Sequence, residues 1–317
     1  TKAANGSYNA ATASYVLTVA KADQSPAVDA GADVSKTVGD EAYDQIAKDG
    51  SGDGAVTYAS NATSVATVDE DTGKVTIVGV GQATITATKA ADGDYNLATD
   101  SYVLTVTQNQ DSFTFDGVTG GAVSKTFGNA NYTQAATGGS GAGAVTYVSS
   151  DADVATVDED TGEVTIVGAG SATITATKAA NGSYNAATDS YVLTVAKADQ
   201  SPAVEAGADV SKTVGDANYT QTASGGSATG DMTYASNATS VATVVEGTGE
   251  VTIVGVGTAT ITATKAEDGN YLVSSDTYTL TVTQNQVGFS AGSDVDRIYG
   301  NANYTQAATG GSGAGAV

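Results

Sequence analysis

Polar and apolar residues alternate without a break over Ser171-Ala172-Thr173-Ile174-Thr175-Ala176-Thr177. A period of two marks a half-buried β-strand, so Ala172, Ile174 and Ala176 are predicted to face a core and the threonines solvent. The same pattern predicts six more short strands between residues 109 and 196. Residues 123–127 form the first, 132–136 the second and 144–148 the third. Residues 154–157 and 163–167 flank Asp158-Glu159-Asp160-Thr161-Gly162, which suits a hairpin loop with glycine free to take positive φ. Residues 190–195 close the unit, with Tyr191, Leu193 and Val195 on one face. No stretch has a helical period. Seven short strands separated by turn signals predict a two-sheet antiparallel sandwich. Tyr147, with Tyr58 and Tyr234 as counterparts, falls on the third strand, where a large core aromatic is expected.

The unit recurs. Tyr15, Tyr102, Tyr191 and Tyr278 mark its phase at intervals of 87, 89 and 87 residues, which is the size of one small domain rather than of a solenoid turn. A second period lies over the first. Ala20-Lys21-Ala22-Asp23-Gln24 returns at 196–200, and Thr107-Gln108-Asn109-Gln110 at 283–286, each 176 residues on. The joints therefore alternate between two kinds. The expected organisation is a linear array of beads: three complete domains at 20–107, 108–196 and 197–283, with partial ones at 1–19 and 284–317. Residues 1–8 match 177–184 and residues 301–317 match 129–145, so both ends fall inside a repeat and a longer array is expected.

Charge narrows the partners. Twelve basic residues against thirty-five acidic ones give a net charge of −23, and Arg297 is the only arginine. Phosphate backbones need a basic stripe, so nucleic acid is excluded as a partner. The chain has no Cys and no His, which removes thiol chemistry and the usual general base near neutral pH, and argues against an enzyme. No apolar run reaches the roughly 18 residues of a membrane span.

Three motifs carry a family resemblance. Val65-Ala66-Thr67-Val68, then Thr72-Gly73-Lys74-Val75-Thr76, then Gly79-Val80-Gly81-Gln82-Ala83-Thr84-Ile85-Thr86-Ala87 resembles the signature of bacterial immunoglobulin-like domains of group 2, and the pattern occurs three times. The resemblance covers essentially the whole chain. It implies an all-β fold of tandem immunoglobulin-like sandwiches, in large bacterial surface proteins such as adhesins and intimin- or invasin-like stalks. It brings no catalytic site. The regular duplication is similar to the extender regions of giant adhesins.

The acidic loops are the candidate sites. Asp69 and Asp71, and Asp158 and Asp160, are candidate Ca²⁺ ligands, because calcium takes six to eight oxygens. The third bead has Val245-Glu246-Gly247 at that place, a loss that a turn tolerates and a metal site does not; a plain solvated hairpin is therefore the favoured reading. Asp23, Asp111 and Asp199, at the joints, are the second calcium option, and no other cofactor is expected. The Gly-rich stretches at 50–54, 138–143, 225–230 and 310–315 lack the Lys-Ser/Thr ending of a phosphate loop and are expected to link the second and third strands. Lys36, Lys125 and Lys212 lie on first strands, but the last strand at 102–106 offers no Asn or Asp, so a Lys–Asn crosslink is not expected. Asn61, Asn131, Asn181, Asn218, Asn237 and Asn303 begin N-x-S/T sequons, which duplication in a Ser/Thr-rich chain explains.

The function expected from these residues is a stalk or extender of an extracellular bacterial adhesin or surface fibre, whose partners are its own neighbouring repeats. The alternatives are a self-associating filament or matrix protein, with lateral contacts between beads, and a glycan- or receptor-binding module.

Overall fold

The computed structural model describes residues 1–288, 290–293, 299 and 305–311. Three sandwiches follow one another along the chain, each with its own core. In bead 1 a four-stranded sheet takes the order Val34–Thr37, Ala98–Thr107, Gly81–Lys89, Val56–Ser60. A three-stranded sheet of Tyr43–Asp44, Lys74–Ile77 and Ala66–Val68 packs across from it. Beads 2 and 3 repeat both sheets.

The long hairpin of Gly81–Lys89 with Ala98–Thr107 is the spine of the bead. Its alternation is the one read from the sequence: Ala83, Ile85 and Ala87 are buried from one strand, and Tyr102, Leu104 and Val106 from the other. Ile85 stands opposite Tyr102, and Ala83 opposite Leu104, so large and small side chains interleave across the pair. Ile174 and Ile261 occupy the same place, facing Tyr191 and Tyr278. Tyr58, Tyr147 and Tyr234 are buried on the third-strand positions. Each phenol oxygen accepts a backbone N–H, from Ala47, Ala136 and Ala223 respectively.

Two features depart from the expected plan. The first strand does not join an antiparallel ladder. Val34–Thr37 runs parallel to Ala98–Thr107, and Ala122–Thr126 and Val210–Thr213 likewise run parallel to their closing strands. A four-residue alternation fixes which side chains face in but not the direction of the partner. A short pairing also precedes it: Val28–Asp29 pairs with Lys48–Asp49 in bead 1, and Thr114–Phe115 with Ala136–Thr137 in bead 2.

The closing strand runs straight into the next bead. Ala98–Thr107 ends one residue before Gln108, which forms a parallel bridge to Tyr184 of bead 2. Ala187–Ala196 ends two residues before Ala198, which bridges Tyr271 of bead 3. At the N-terminal side, Tyr15, Leu17 and Val19 repeat a closing-strand sequence but are exposed, with no sheet beside them.

Candidate functional site

The acidic loops close as tight turns. Gly73 N–H donates to Asp69 O and Gly162 N–H to Asp158 O, both at 3.0 Å. Asp69 Oδ1 accepts the Thr72 hydroxyl at 2.7 Å and the Thr72 N–H at 2.9 Å. Asp158 Oδ1 accepts the same pair from Thr161. These bonds, the hydroxyl first, hold both carboxyls below the ordinary aspartate range. In bead 3 Val245 stands at this position, and Gly249 N–H still donates to Val245 O at 2.9 Å. The turn thus forms without its carboxylate. Asp71 and Asp160 are exposed beside it.

The joint aspartates stay apart, one to each joint. Asp23 Oδ1 accepts from Asn96 Nδ2 at 2.9 Å. Asp111 Oδ2 accepts from the Ser140 hydroxyl at 2.9 Å. Asp199 is exposed. Among the described residues, no three His, Cys, Asp or Glu side chains gather as a metal would require.

Other aspartates carry more of the architecture than the predicted ones. Asp100, Asp189 and Asp276 reach from the closing strand to the N-terminal segment of their bead, accepting the N–H of Ala30, Phe115 and Ala206 at 2.8–2.9 Å. Those backbone bonds are the main reason the carboxyls of Asp189 and Asp276 lie below the ordinary aspartate range. Asp92 and Asp268 knot a second loop. Asp268 Oδ2 accepts Thr229 N–H, while Oδ1 accepts those of Asn270 and Tyr271. With the Thr229 bond as the largest cause, its pKa falls to about 2. In bead 2 the residue at this place is Asn181, whose buried Oδ1 has no hydrogen-bond partner. A D-x-x-Y spacing, Asp92 to Tyr95 and Asp268 to Tyr271, was the available sequence signal.

The three first-strand lysines find aromatic rings and not asparagines. Lys36, Lys125 and Lys212 lie 4.9, 4.3 and 5.0 Å from the ring centres of Tyr43, Tyr132 and Tyr219. Each of these tyrosines shares a hydroxyl–hydroxyl hydrogen bond of 3.1–3.3 Å with Tyr102, Tyr191 or Tyr278. Burial pushes the phenols of each pair upward. The sequon residues Asn61 and Asn237 accept backbone N–H groups of Thr84 and Thr260; Asn303 lies outside the described residues. A groove of about 450 Å³ opens beside Tyr147, Val148, Ala152, Thr156, Glu159 and Thr177. Glu159 is the one ionisable group in that wall with carboxylate chemistry, so the groove offers no acid–base pair.

Residues 41–91, 130–180 and 216–267 match the family model described as the intimin immunoglobulin-like domain. Each bead is similar to an intimin-type repeat. The three immunoglobulin-like matches fall at the same phase, from the second strand to the end of the long hairpin's first arm. No curated protein sequence matches the chain. Among solved structures, Drosophila N-cadherin EC1–4 matches at 12% identity over 82% of this chain and 76% of that one, with a TM-score of 0.26. Mouse protocadherin-24 EC1–3 matches at 15% identity over 86% and 100%, with a TM-score of 0.28. A SusE-like, surface-located polysaccharide-binding protein from Bacteroides thetaiotaomicron matches at 14% identity over 79% and 60%, with a TM-score of 0.24.

Proposed function

We propose that the array is the stalk of an extracellular, adhesin-type bacterial surface protein, setting the distance between the cell and a distal part. The intimin-type repeats support an extracellular adhesin-type region. The V-A-T-V, T-G-x-V-T and G-x-G-x-A-T-I-T-A motifs favour group 2 within the bacterial immunoglobulin-like domains, with beads at 20–107, 108–196 and 197–283. The observation that carries the stalk role is the joint. A closing strand meets the first bridge of the next bead after at most one intervening residue, Lys197 in one joint and none in the other. Such a connection adds no linker length of its own, so neighbouring beads stay end to end even where a joint can bend, and each added bead adds its own length. Closely similar beads with no metal-binding cluster among the described residues fit length better than recognition.

Deleting residues 20–195 preserves the register, since Val19 then meets Ala196 as Val195 does in the intact chain. Ten-residue closing strands at about 3.3 Å per residue make each bead about 30–40 Å long, so small-angle scattering should show a maximum dimension shorter by about 60–80 Å. An unchanged dimension would mean that the beads fold back on one another, and the stalk would be lost as an explanation. On the cell, attachment should fall with reach. Complete loss of attachment with export intact would favour a binding module instead. Negative-stain mass per length of one chain supports the stalk, and that of several chains the filament. Calcium is tested on the same sample: a melting shift above about 10 °C on adding Ca²⁺ would assign specific sites, beginning at Asp23, Asp111 and Asp199.

A further inference from the structure

The two joints between complete beads are built differently, and the difference lies in side chains that cross from bead to bead. Between beads 2 and 3, Phe127 meets Tyr271 edge to face, with ring centres 5.4 Å apart and planes at 83°. Phe127 directly follows the first strand of bead 2, its N–H donating to Ala196 O, and Tyr271 is the bridge residue that receives the linker of bead 3. On the other side of the joint, Asn270 Oδ1 accepts the N–H of Ala169 at 2.9 Å. Gly168 is buried beneath it: a Cβ there would lie 3.3 Å from Asn270 Oδ1 and 2.6 Å from Asp153 O. Two separate contacts thus pin the beads on either side of the linker, and Lys197 is itself tied down within bead 3 by an ion pair of 3.1 Å to Glu267.

Between beads 1 and 2 both contacts are missing their residues. Val38 replaces Phe127 and is 40% exposed. Ser183 replaces Asn270, and Val80 replaces Ala169. The side-chain bond that crosses is Asn185 Nδ2 to Thr37 Oγ1, at 3.5 Å, the outer limit for a hydrogen bond. Domain neighbours move relative to one another unless their interface holds them.

We propose that beads 2 and 3 form one rigid pair, while bead 1 swings on bead 2. The chain then bends at one kind of joint and not at the other. The difference between the joints does not depend on whether the array is a stalk.

The chain contains no Cys, so spin labels can be placed at will. Thr67, Thr156 and Thr243 are exposed and occupy the same position in the three beads. Double electron–electron resonance on the full chain carrying Thr156→Cys and Thr243→Cys should give a distance distribution about twofold narrower than Thr67→Cys with Thr156→Cys. Phe127→Val with Asn270→Ser introduces residues the chain already tolerates at joint 1–2, and should widen the 156–243 distribution to match the 67–156 one. The reciprocal set, Val38→Phe, Val80→Ala and Ser183→Asn, should narrow the 67–156 distribution. Equal widths in the unaltered chain would overturn the proposal. So would a 156–243 distribution that stays narrow after both substitutions, with melting unchanged.

Discussion

Beads 2 and 3 share a spine and differ at their entrance. Both close on a ten-residue strand that buries Tyr, Leu and Val in register with the same partner strand. Bead 3 enters with Ala206 under its Asp276 anchor, and bead 1 with Ala30 under Asp100. Bead 2 enters with Phe115, which is buried edge-on against Tyr191 at 4.9 Å and tilted against Tyr147 at 6.2 Å. Bead 2 also lacks an aspartate at the position of Asp209, whose carboxylate accepts Thr279 N–H in bead 3. Ala122 stands there and extends the parallel ladder by one pair, to five against four. One scaffold therefore accepts an aromatic plug with a longer ladder, or an alanine with a carboxylate staple. The hairpin tolerates the exchange because the anchor, an aspartate on the closing strand, is the same in both.

The comparison breaks hardest at the plug. Phe115→Ala should cost bead 2 about 3–5 kcal/mol, since it leaves a cavity between two tyrosines. Hydrogen exchange resolved along the chain would register it, with bead 3 unmoved. A loss below 1 kcal/mol would show that bead 2 collapses onto the alanine arrangement of its neighbours. Next comes the shared spine. Ile174→Ala should cost about 2–5 kcal/mol in bead 2, and Ile85→Ala and Ile261→Ala the same in their own beads. A single melting step for the whole array after any one of these changes would end the picture of separate cores.

The anchor ranks third. Asp189→Ala leaves the Phe115 N–H and the Thr114 hydroxyl without their acceptor, and should cost about 1–3 kcal/mol in urea titration. Equal costs at Asp189 and Asp276 would confirm that plug and staple hang on one peg. Acid then separates the beads at a second loop. The Asp268 carboxyl is lowered in the folded state, so its contribution is complete above the unfolded value of about 3.9 and is lost as pH falls through its folded pKa, about 2. Amide shifts of Asn270 and Tyr271 should move between those pH values, while those of Ser183 and Tyr184, beside Asn181, stay still. The smallest effect belongs to the phenol pairs. Tyr132→Phe removes one hydroxyl–hydroxyl bond and should cost about 0.5–1.5 kcal/mol. Because burial raises these phenols, the unfolded chain ionises first. Stability is whole below about pH 10 and falls above it. A flat alkaline limb would refute that.

Much of this was legible in the chain. The strict alternation at 171–177 located the spine and its buried face, and the tyrosine spacing located the phase. The acidic loops were legible as turns because Val245 replaces an aspartate without changing the backbone around it. What the pattern left out has physical reasons. A short first strand carries no mark of its partner's direction, so the parallel pairing was invisible. Asp100, Asp189 and Asp276 act over about seventy residues of sequence, and a lone aspartate in a Thr-rich strand announces no distant N–H. The contacts of Phe127 with Tyr271 and of Asn270 with Ala169 join different beads, where no periodicity points.

The parallel pairing of first and closing strands decides how a bead bears tension. Pulled at its two ends, a bead has its first strand drawn toward one pole from its N-terminal end and its closing strand toward the other from its C-terminal end. Since the two run in the same direction, side by side, they are forced to slide past each other along their length. The bonds between them are then strained together in shear, and no zipper edge exists from which they could open one at a time. Val34–Thr37, Ala122–Thr126 and Val210–Thr213 are thus the bolts of their beads. In force–extension records we expect bead 2, with five residue pairs in the bolt, to be the last to rupture; a first rupture there would show that ladder length does not set the order.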